Sequence, residues 1–346
     1  MADIASVAKR AGVSRATAAR AFSSPELVRD QTREKVLAAA RELRFRPNTV
    51  ARQLRAQATR MIGVMVPSLD NPVFAEQLQA MEVAARERGF SLLITTSEYD
   101  PARESDIVES MLRQRVDGLV LTVADADQSP LLTSLRREST PCLLVYNPAG
   151  ESGFPSIGVD NRAASEAATR HLIDLGHTHI GMVAGPLLQS DRARQRFEGY
   201  RQMMQNAGLT PRALLEMPRH TRAELAPIKS QLEGPNALTA LIATNDLLAI
   251  SLIGELTRAG VKVPGDVSIM GFDGIALGKC LYPSLCTIEQ PRADIGREAV
   301  NALLALLEGE QPAPPLLPYT LREGESVAPP VAITALCSTQ RGSHHA

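Results

Sequence analysis

The chain has 346 residues, 44% of them apolar, with a formal charge of −1; that length exceeds one typical domain and suits two or three with proper cores. No apolar run approaches the ~18–20 residues of a membrane span, and the opening MADIASVAKR has no signal-peptide segment, so a cytoplasmic protein without a membrane partner is expected. Trp is absent and aromatics are only 3%, which argues against stacking platforms for single-stranded nucleic acid.

The near-neutral total hides an asymmetry. Residues 1–60 carry 13 Lys/Arg against 5 Asp/Glu, a net of +8, while residues 61–346 carry 24 against 33, a net of −9. A basic head on an acidic body points to a nucleic-acid partner for the head alone. That head opens with IASVAKRAGVSRATAARAF over 4–22. Ile4, Val7 and Ala8 recur at helical spacing until Ala11-Gly12-Val13 interrupts them, and Ser14 is placed to cap a second helix. Two short helices with a Gly-containing turn form a helix-turn-helix, which sets the second helix in the DNA major groove; the same pattern also occurs in all-α proteins that bind nothing.

Ser23-Ser24-Pro25 then makes a turn, and Val36, Leu37, Ala40 and Leu43 give the stretch 28–43 an apolar stripe that closes a three-helix core. Pro47 ends that helix. Asn48 can cap a further short helix over 48–54, which is too short to be stable alone and orders only against a partner.

From Met61 the texture changes. MIGVMVP, FSLLITTS, VDGLVLTV and TPCLLVYN are near-continuous apolar runs, as in parallel strands buried on both faces, and helical patterns lie between them at 74–88, 103–115 and 129–137. A second βα series is expected to begin at SIGVD (156–160) and to continue through HIGMVAG, ALTALIAT and VSIMGFDG, with helices at 162–175, 194–207 and 247–259. The fold class is therefore α/β: a helix-turn-helix head, a hinge segment, and two tandem doubly wound parallel lobes around a cleft, with ligand groups at the carboxyl ends of the strands. A further helix at 294–307 and a Pro-rich crossover at 311–318 follow; the tail after Pro330 shows no leucine heptads. The expected domains are 1–47, a hinge and linker at 48–60, and an effector and dimerisation domain at 61–346. Its first lobe is about 61–160 plus 291–320, its second about 161–290 plus 321–340.

Taken together, IASVAKRAGVSRATAARAF, TREKVLAAARELRFRPNTVARQLR, IGVMVPSLDNPVFAE, DGLVL, LGHTHIGMVAGP, RFEGYRQMM, IATNDLLAIS, VPGDVSIMGFDG and LCTIEQP resemble the lactose-repressor (LacI/GalR) family of bacterial transcription regulators over roughly residues 2–330. The resemblance implies a homodimeric, ligand-controlled repressor of double-stranded, pseudo-palindromic operator DNA. It places Arg15 and Ala16 at base edges with Thr17 and Arg20 alongside, and Ser14 and Thr32 on the phosphate backbone. It makes 48–54 a hinge helix that contacts DNA through Asn48 and Ala51, with Leu54 as the minor-groove wedge that kinks the duplex. Where the family commonly has Val-Ser after the recognition Thr, this chain has Ala18-Ala19, so a backbone contact is expected to be weakened or moved.

The same resemblance assigns Arg196, Asn245 and Asp273 to the effector cleft. Their chemistry is coherent: a planar donor fork, a donor–acceptor amide and a carboxylate that accepts from a vicinal diol. Asp273 before Gly274 could instead be a turn residue, and Asn245-Asp246 a helix cap. Asn71 and Phe74, after the first strand, and Asn147, after the fourth, are candidates from the first lobe; Asp191 and Arg192 are further ones from the second. The effector is expected to be a sugar, sugar acid or nucleoside. VPSLDNPVFAE, SEYDP and ESML resemble the gluconate-type repressors and point to the sugar acid, whereas IALGKC after GFDG departs from that branch.

No cofactor and no metal are expected. Cys142, Cys280, Cys286 and Cys337 are scattered without a CxxC pair, as buried thiols in a reducing compartment would be, and His177-Thr-His179 reads as a solvent-facing loop before a strand. GxGxxG after a strand, GxxxxGK[ST] and HExxH are all missing, so no enzyme is expected. The rival reading is a sugar-binding solute-binding protein, which shares the two-lobed cleft but has no use for the basic head.

Overall fold

A computed structural model describes residues 2–45, 58–148, 150 and 152–330. Asn48, Ala51 and Leu54, with the rest of the expected hinge helix, lie outside the described residues, as does Cys337. The chain divides into two compact units, Met1–Arg60 and Met61–Ala346.

The first unit holds α1 (Ile4–Ala11), α2 (Arg15–Ser23) and α3 (Asp30–Glu42). Local chemistry sets each boundary. Asp3 caps α1 by accepting from Ser6 N, and Gly12 ends it in the left-handed conformation at φ 67°, which a residue without Cβ adopts at no steric cost. The Ser14 hydroxyl caps α2 by accepting from Thr17 N at 3.1 Å. Val7, Ala8, Ala18, Ala21, Val28, Val36, Ala39 and Ala40 close the core, with Phe22 and Phe45 packed on it. It is an Ala-rich core, which lets three short helices approach closely but buries little apolar area per residue.

The second unit is built on two sheets. The first has strand order β2-β1-β3-β4-β5, from β1 (Met61–Val66), β2 (Ser91–Thr96), β3 (Gly118–Leu121), β4 (Cys142–Val145) and β5 (Ser156–Ile157), all parallel. Between them run α4 (Pro72–Glu87), α5 (Pro101–Arg113) and α6 (Pro130–Arg137). The second has order β11-β10-β9-β8-β6-β7, from β6 (Ile180–Ala184), β7 (Leu215–Glu216), β8 (Ala240–Ala243), β9 (Ser268–Asp273), β10 (Cys286–Glu289) and β11 (Thr320–Arg322). Its helices are α7 (Asn161–Asp174), α8 (Asp191–Asn206), the single turn α9 (Ala226–Lys229) and α10 (Asp246–Arg258). The last helix, α11 (Arg292–Leu307), returns to the first lobe and packs on α4. Each central strand is buried along its length, as the unbroken apolar runs require.

Several expectations are corrected. Ser156–Ile157 does not open the second series; it pairs with β4 at the edge of the first sheet. FSLLITTS is an edge strand, half-exposed on both faces, with Ile94 39% exposed. β7, β10 and the antiparallel β11 were not legible as strands: two are only two and three residues long, and Thr287 and Glu289 interrupt the apolar run of β10. Cys142 and Cys286 are buried as expected, but Cys280 is exposed. His177 is buried and not solvent-facing: both its ring nitrogens are engaged, by the Thr239 hydroxyl at 2.8 Å and the Ala328 carbonyl at 2.9 Å, which makes it a structural pin for the second lobe.

Candidate functional site

In the first unit, α2 presents Arg15, Ala16 and Arg20 to solvent while Ala18 and Ala21 face the core; Thr17 and Thr32 are half-buried. The exposed face thus holds the expected base-reading residues on one rigid helix. Ser14 and Thr17 also hydrogen-bond through their hydroxyls at 2.9 Å, so the pair that caps the helix lies at its exposed N-terminus. A bidentate bond from Arg10 to Glu42, at 2.8 and 2.5 Å, ties α1 to α3.

In the second unit, the carboxyl ends of both sheets meet across a cavity of about 50 Å³, the size of one or two waters and well below the ~300 Å³ of an ordinary ligand site. Asn71, Phe74, Arg196, Asn245 and Asp273 all line this cavity, and Arg192 joins them. Asn147 and Asp191 do not. Their polar atoms are used up in a bridge between lobes: Asn147 Nδ2 donates to Asp191 Oδ2 at 2.7 Å and to the Val123 carbonyl at 2.9 Å, and Asp191 Oδ2 accepts from Ala126 N at 3.0 Å. Asp191 Oδ1 in turn accepts from Arg192 at 3.0 Å, and Arg192 also donates to the Val123 carbonyl at 2.7 Å. The bridge also holds Arg192 in place.

The second-lobe residues form one network. Arg196 donates to Asn161 Oδ1 at 2.8 Å and to the Thr244 carbonyl at 2.5 Å, stacks 3.6 Å from the Phe272 ring centre, and lies 3.5 Å from Asp273 Oδ1. Gln290 donates to the same Asp273 oxygen at 2.8 Å. Asp273 has φ 116°, a strained conformation for a residue with a side chain, of the kind that collects at functional sites. Burial pushes its carboxyl up to about 6, against the pull of Arg196. Asp246 holds the following loop through Thr287 Oγ1 at 2.6 Å and Ile275 N at 2.7 Å; burial and the Asp273 charge raise it to about 7. A Cβ on Gly271 would stand 2.2 Å from Asp246, so that position has room only for glycine.

Two expected ligand residues also do structural work. Asn245 caps α10 by accepting from Leu248 N at 2.9 Å and donates to the His220 carbonyl at 2.7 Å. Asn71 caps α4 through Val73 N at 3.2 Å. Phe74 is both core and lining, edge-on to Tyr146 at 5.8 Å.

Tyr99, Tyr146, Ser190, His220, Thr244 and Gln290 also line the cavity and were not singled out from the sequence. Tyr99 of the first lobe stacks on His220 of the second, ring centres 4.1 Å apart. Burial raises the Tyr99 hydroxyl to about 12, and burial with the Arg192 charge lowers His220 to about 4, so the imidazole is neutral at physiological pH. Tyr99 and Thr244 closely follow strands β2 and β8, a position that could have found them, whereas Gln290 follows β10, which does not read as a strand. His220 follows no long strand and carries no such signal.

A helix-turn-helix unit and a two-lobed parallel α/β unit with a polar cleft at the strand ends together define a ligand-responsive DNA-binding transcription regulator. Residues 3–48 match the model of bacterial regulatory proteins of the lacI family, and residues 169–327 that of the periplasmic binding protein-like domain. The chain is 32% identical to the HTH-type transcriptional repressor PurR of Photobacterium profundum, over 88% of this chain and 91% of that one. It is 32% identical to the HTH-type transcriptional repressor CytR of Escherichia coli, over 89% and 91%. Its structure resembles that of the lac repressor dimer bound to operator and an anti-inducer, with a TM-score of 0.81 and 28% identity over 94% of this chain and 99% of that one. The chain belongs to the lacI family of bacterial regulatory proteins. The relatives are repressors, not enzymes, and among the described residues no helix is long and apolar enough to cross a membrane.

Proposed function

We propose that the protein is a dimeric repressor that holds a pseudo-palindromic operator and is switched by a small sugar, sugar acid or nucleoside in the interlobe cleft. The observation that carries this reading is the convergence of Asn71, Arg192, Arg196, Asn245 and Asp273 on one cavity at the carboxyl ends of two sheets. Under it, 1–47 is the DNA-binding domain, 48–60 the hinge and linker, and 61–346 the effector and dimerisation domain. Arg15 and Ala16 read base edges, Thr17 and Arg20 flank them, Ser14 and Thr32 meet phosphate, and Asn48, Ala51 and Leu54 engage the minor groove. The lac repressor structure, a dimer on its operator, supports the assembly. A ligand that binds one lobe angle better than another shifts the population of that angle and with it the spacing of two heads.

The test is operator binding by the full chain, measured by fluorescence anisotropy on a duplex selected from a random pool, with and without compounds from a thermal-shift screen. A ligand at 100 times its Kd stabilises the protein by ~2.7 kcal/mol and is expected to change operator affinity at least tenfold. A cleft ligand that leaves operator affinity unchanged refutes the switch.

A further inference from the structure

The seam between the lobes holds two buried carboxylates, Glu104 and Asp191, that do not line the cavity. The loop after β3 forms a socket in the first lobe, and the N-terminus of α8 from the second lobe fills it. Val123 and Ala124 offer their carbonyls, the first to Arg192 at 2.7 Å and the second to Asp191 N at 2.8 Å. The amides of the same loop go to the carboxylates. Ala124 N donates to Glu104 Oε1 of α5 at 2.7 Å, and Ala126 N to Asp191 Oδ2 at 3.0 Å. One loop thus serves an acid from each lobe.

That socket is short of positive charge. Glu104, Asp191 and Arg192 are 4%, 3% and 6% exposed, and among the described residues Arg192 is the buried cation that acts on both acids. At the rim, Arg194 is paired with Asp125 at 2.7 Å and Arg103 of α5 with Glu98 at 2.7 Å. Asp100, which caps α5, adds a further negative charge. His220 supplies no cation, because burial and the Arg192 charge hold it at about 4, and burial keeps the Tyr99 hydroxyl neutral. Two carboxylates around one arginine leave a charge of −1 out of water, which is costly unless it is neutralised. Asp191 is the better served acid, with bonds from Arg192, Asn147 and Ala126 N. Burial lifts the Glu104 carboxyl to about 7; the Ala124 amide and Arg192 oppose the rise, and the Asp191 and Asp100 charges add to it.

We propose that this seam is a proton-linked latch: the meeting of the lobes takes up one proton, held on Glu104, so that mild acid favours the joined arrangement and alkali the parted one. A proton on Glu104 removes the excess charge while Oε1 still accepts from Ala124 N. Parting takes Asp191 and Arg192 out of the socket together, lets water reach Glu104 and returns its carboxyl towards the ordinary 4.5. The joined state therefore gains as pH falls through about 7, and the gain is complete below about 4.5. The latch sets the lobe angle by pH alone, and it needs neither effector nor operator.

Single-molecule energy transfer across the lobes of the full chain tests it. Dyes are placed by Arg137→Cys in α6 and Gln205→Cys in α8, both exposed, with Cys280→Ser and Cys337→Ser so that the buried Cys142 and Cys286 are the remaining thiols. Labelled chain is diluted into unlabelled chain, so that each dye pair reports one protomer. From pH 5.5 to 7.5 the joined-to-parted ratio of the parent falls about tenfold. Asp246 and Asp273 are lifted into the same window within the second lobe, so the reading is the difference between parent and variant. Glu104→Gln keeps the acceptor oxygen but takes no proton, and its change is roughly threefold smaller than that of the parent, or less. Asp191→Asn leaves Glu104 alone with Arg192 and flattens the slope in the same way, which a packing role for Glu104 would not produce; it also stands in if circular dichroism shows Glu104→Gln unfolded. A parent slope that either folded variant keeps, or a parent whose lobe distance is the same at both pH values, overturns the latch and leaves the effector cleft standing.

Discussion

The two units carry their functional residues in opposite ways. In the head, Arg15, Ala16 and Arg20 stand in solvent on a helix whose other face packs the core, so each can change without touching the fold. In the second unit Arg196, Asp273 and Gln290 are buried and bonded to one another, so under the proposed reading recognition and stability are held by the same atoms. The head is therefore free to change its target, whereas the cleft can change its ligand only by rebuilding a network.

Substitutions can break that contrast, and the largest effect belongs to the cleft. Arg196→Met leaves Asp273 buried without its cation and is expected to cost ~3–5 kcal/mol, read as a lower denaturation midpoint of the second unit; a loss under 1 kcal/mol would mean that the pair contributes nothing. Asn147→Leu removes a donor shared by Val123 and Asp191 and is expected to cost ~1–3 kcal/mol. It should also weaken any cleft ligand, since Arg192 loses its aim; unchanged stability with lost binding would make Asn147 a direct ligand contact. In the head, Arg15→Ala should lower discrimination at one base pair per half-site by ~1–3 kcal/mol while stability stays within ~0.5 kcal/mol. An equal loss on every sequence, in a competition assay, would move Arg15 to the phosphates.

The same contrast extends to pH. Burial lifts Glu104 and Asp246 to about 7 and Asp273 to about 6, from ordinary values of 4.5, 3.8 and 3.8. A raised carboxyl favours the folded state when protonated, so this contribution is complete below about pH 4 and is lost as pH rises towards 7. The second unit should melt higher at pH 5.5 than at pH 7.5. Glu104→Gln, which keeps the oxygen that accepts from Ala124 N at 2.7 Å, should flatten the slope by on the order of 1 kcal/mol. The head, where hydrogen bonds from Ser6 and Arg10 hold the Asp3 and Glu42 carboxyls below their ordinary values, should not gain stability on acidification when melted alone as residues 1–47, provided circular dichroism shows that fragment to be folded.

Much of this molecule could be read residue by residue. Ser14, Gly12 and the spacing of Val7 and Ala8 announce the helix pair, and runs such as MIGVMV announce buried strands. Position after a strand also pointed to Asn71 and Asp273. It pointed equally to Asn147, whose amide turned out to bridge the lobes. Gln290 and His220 stayed hidden, the first because β10 did not read as a strand, the second because it lies beyond one of only two residues.

The difference is one of range. Caps, turns and periodicity act within about four residues, so the sequence by itself determined a basic helix-turn-helix followed by two parallel α/β lobes. Which polar groups pair depends on partners far apart in the chain, such as Asn147 with Asp191, 44 residues away, and Arg292 with Glu76, 216 away. Only the tertiary structure could decide which of the polar residues after the strands line the cavity and which are bonded to each other across the lobes.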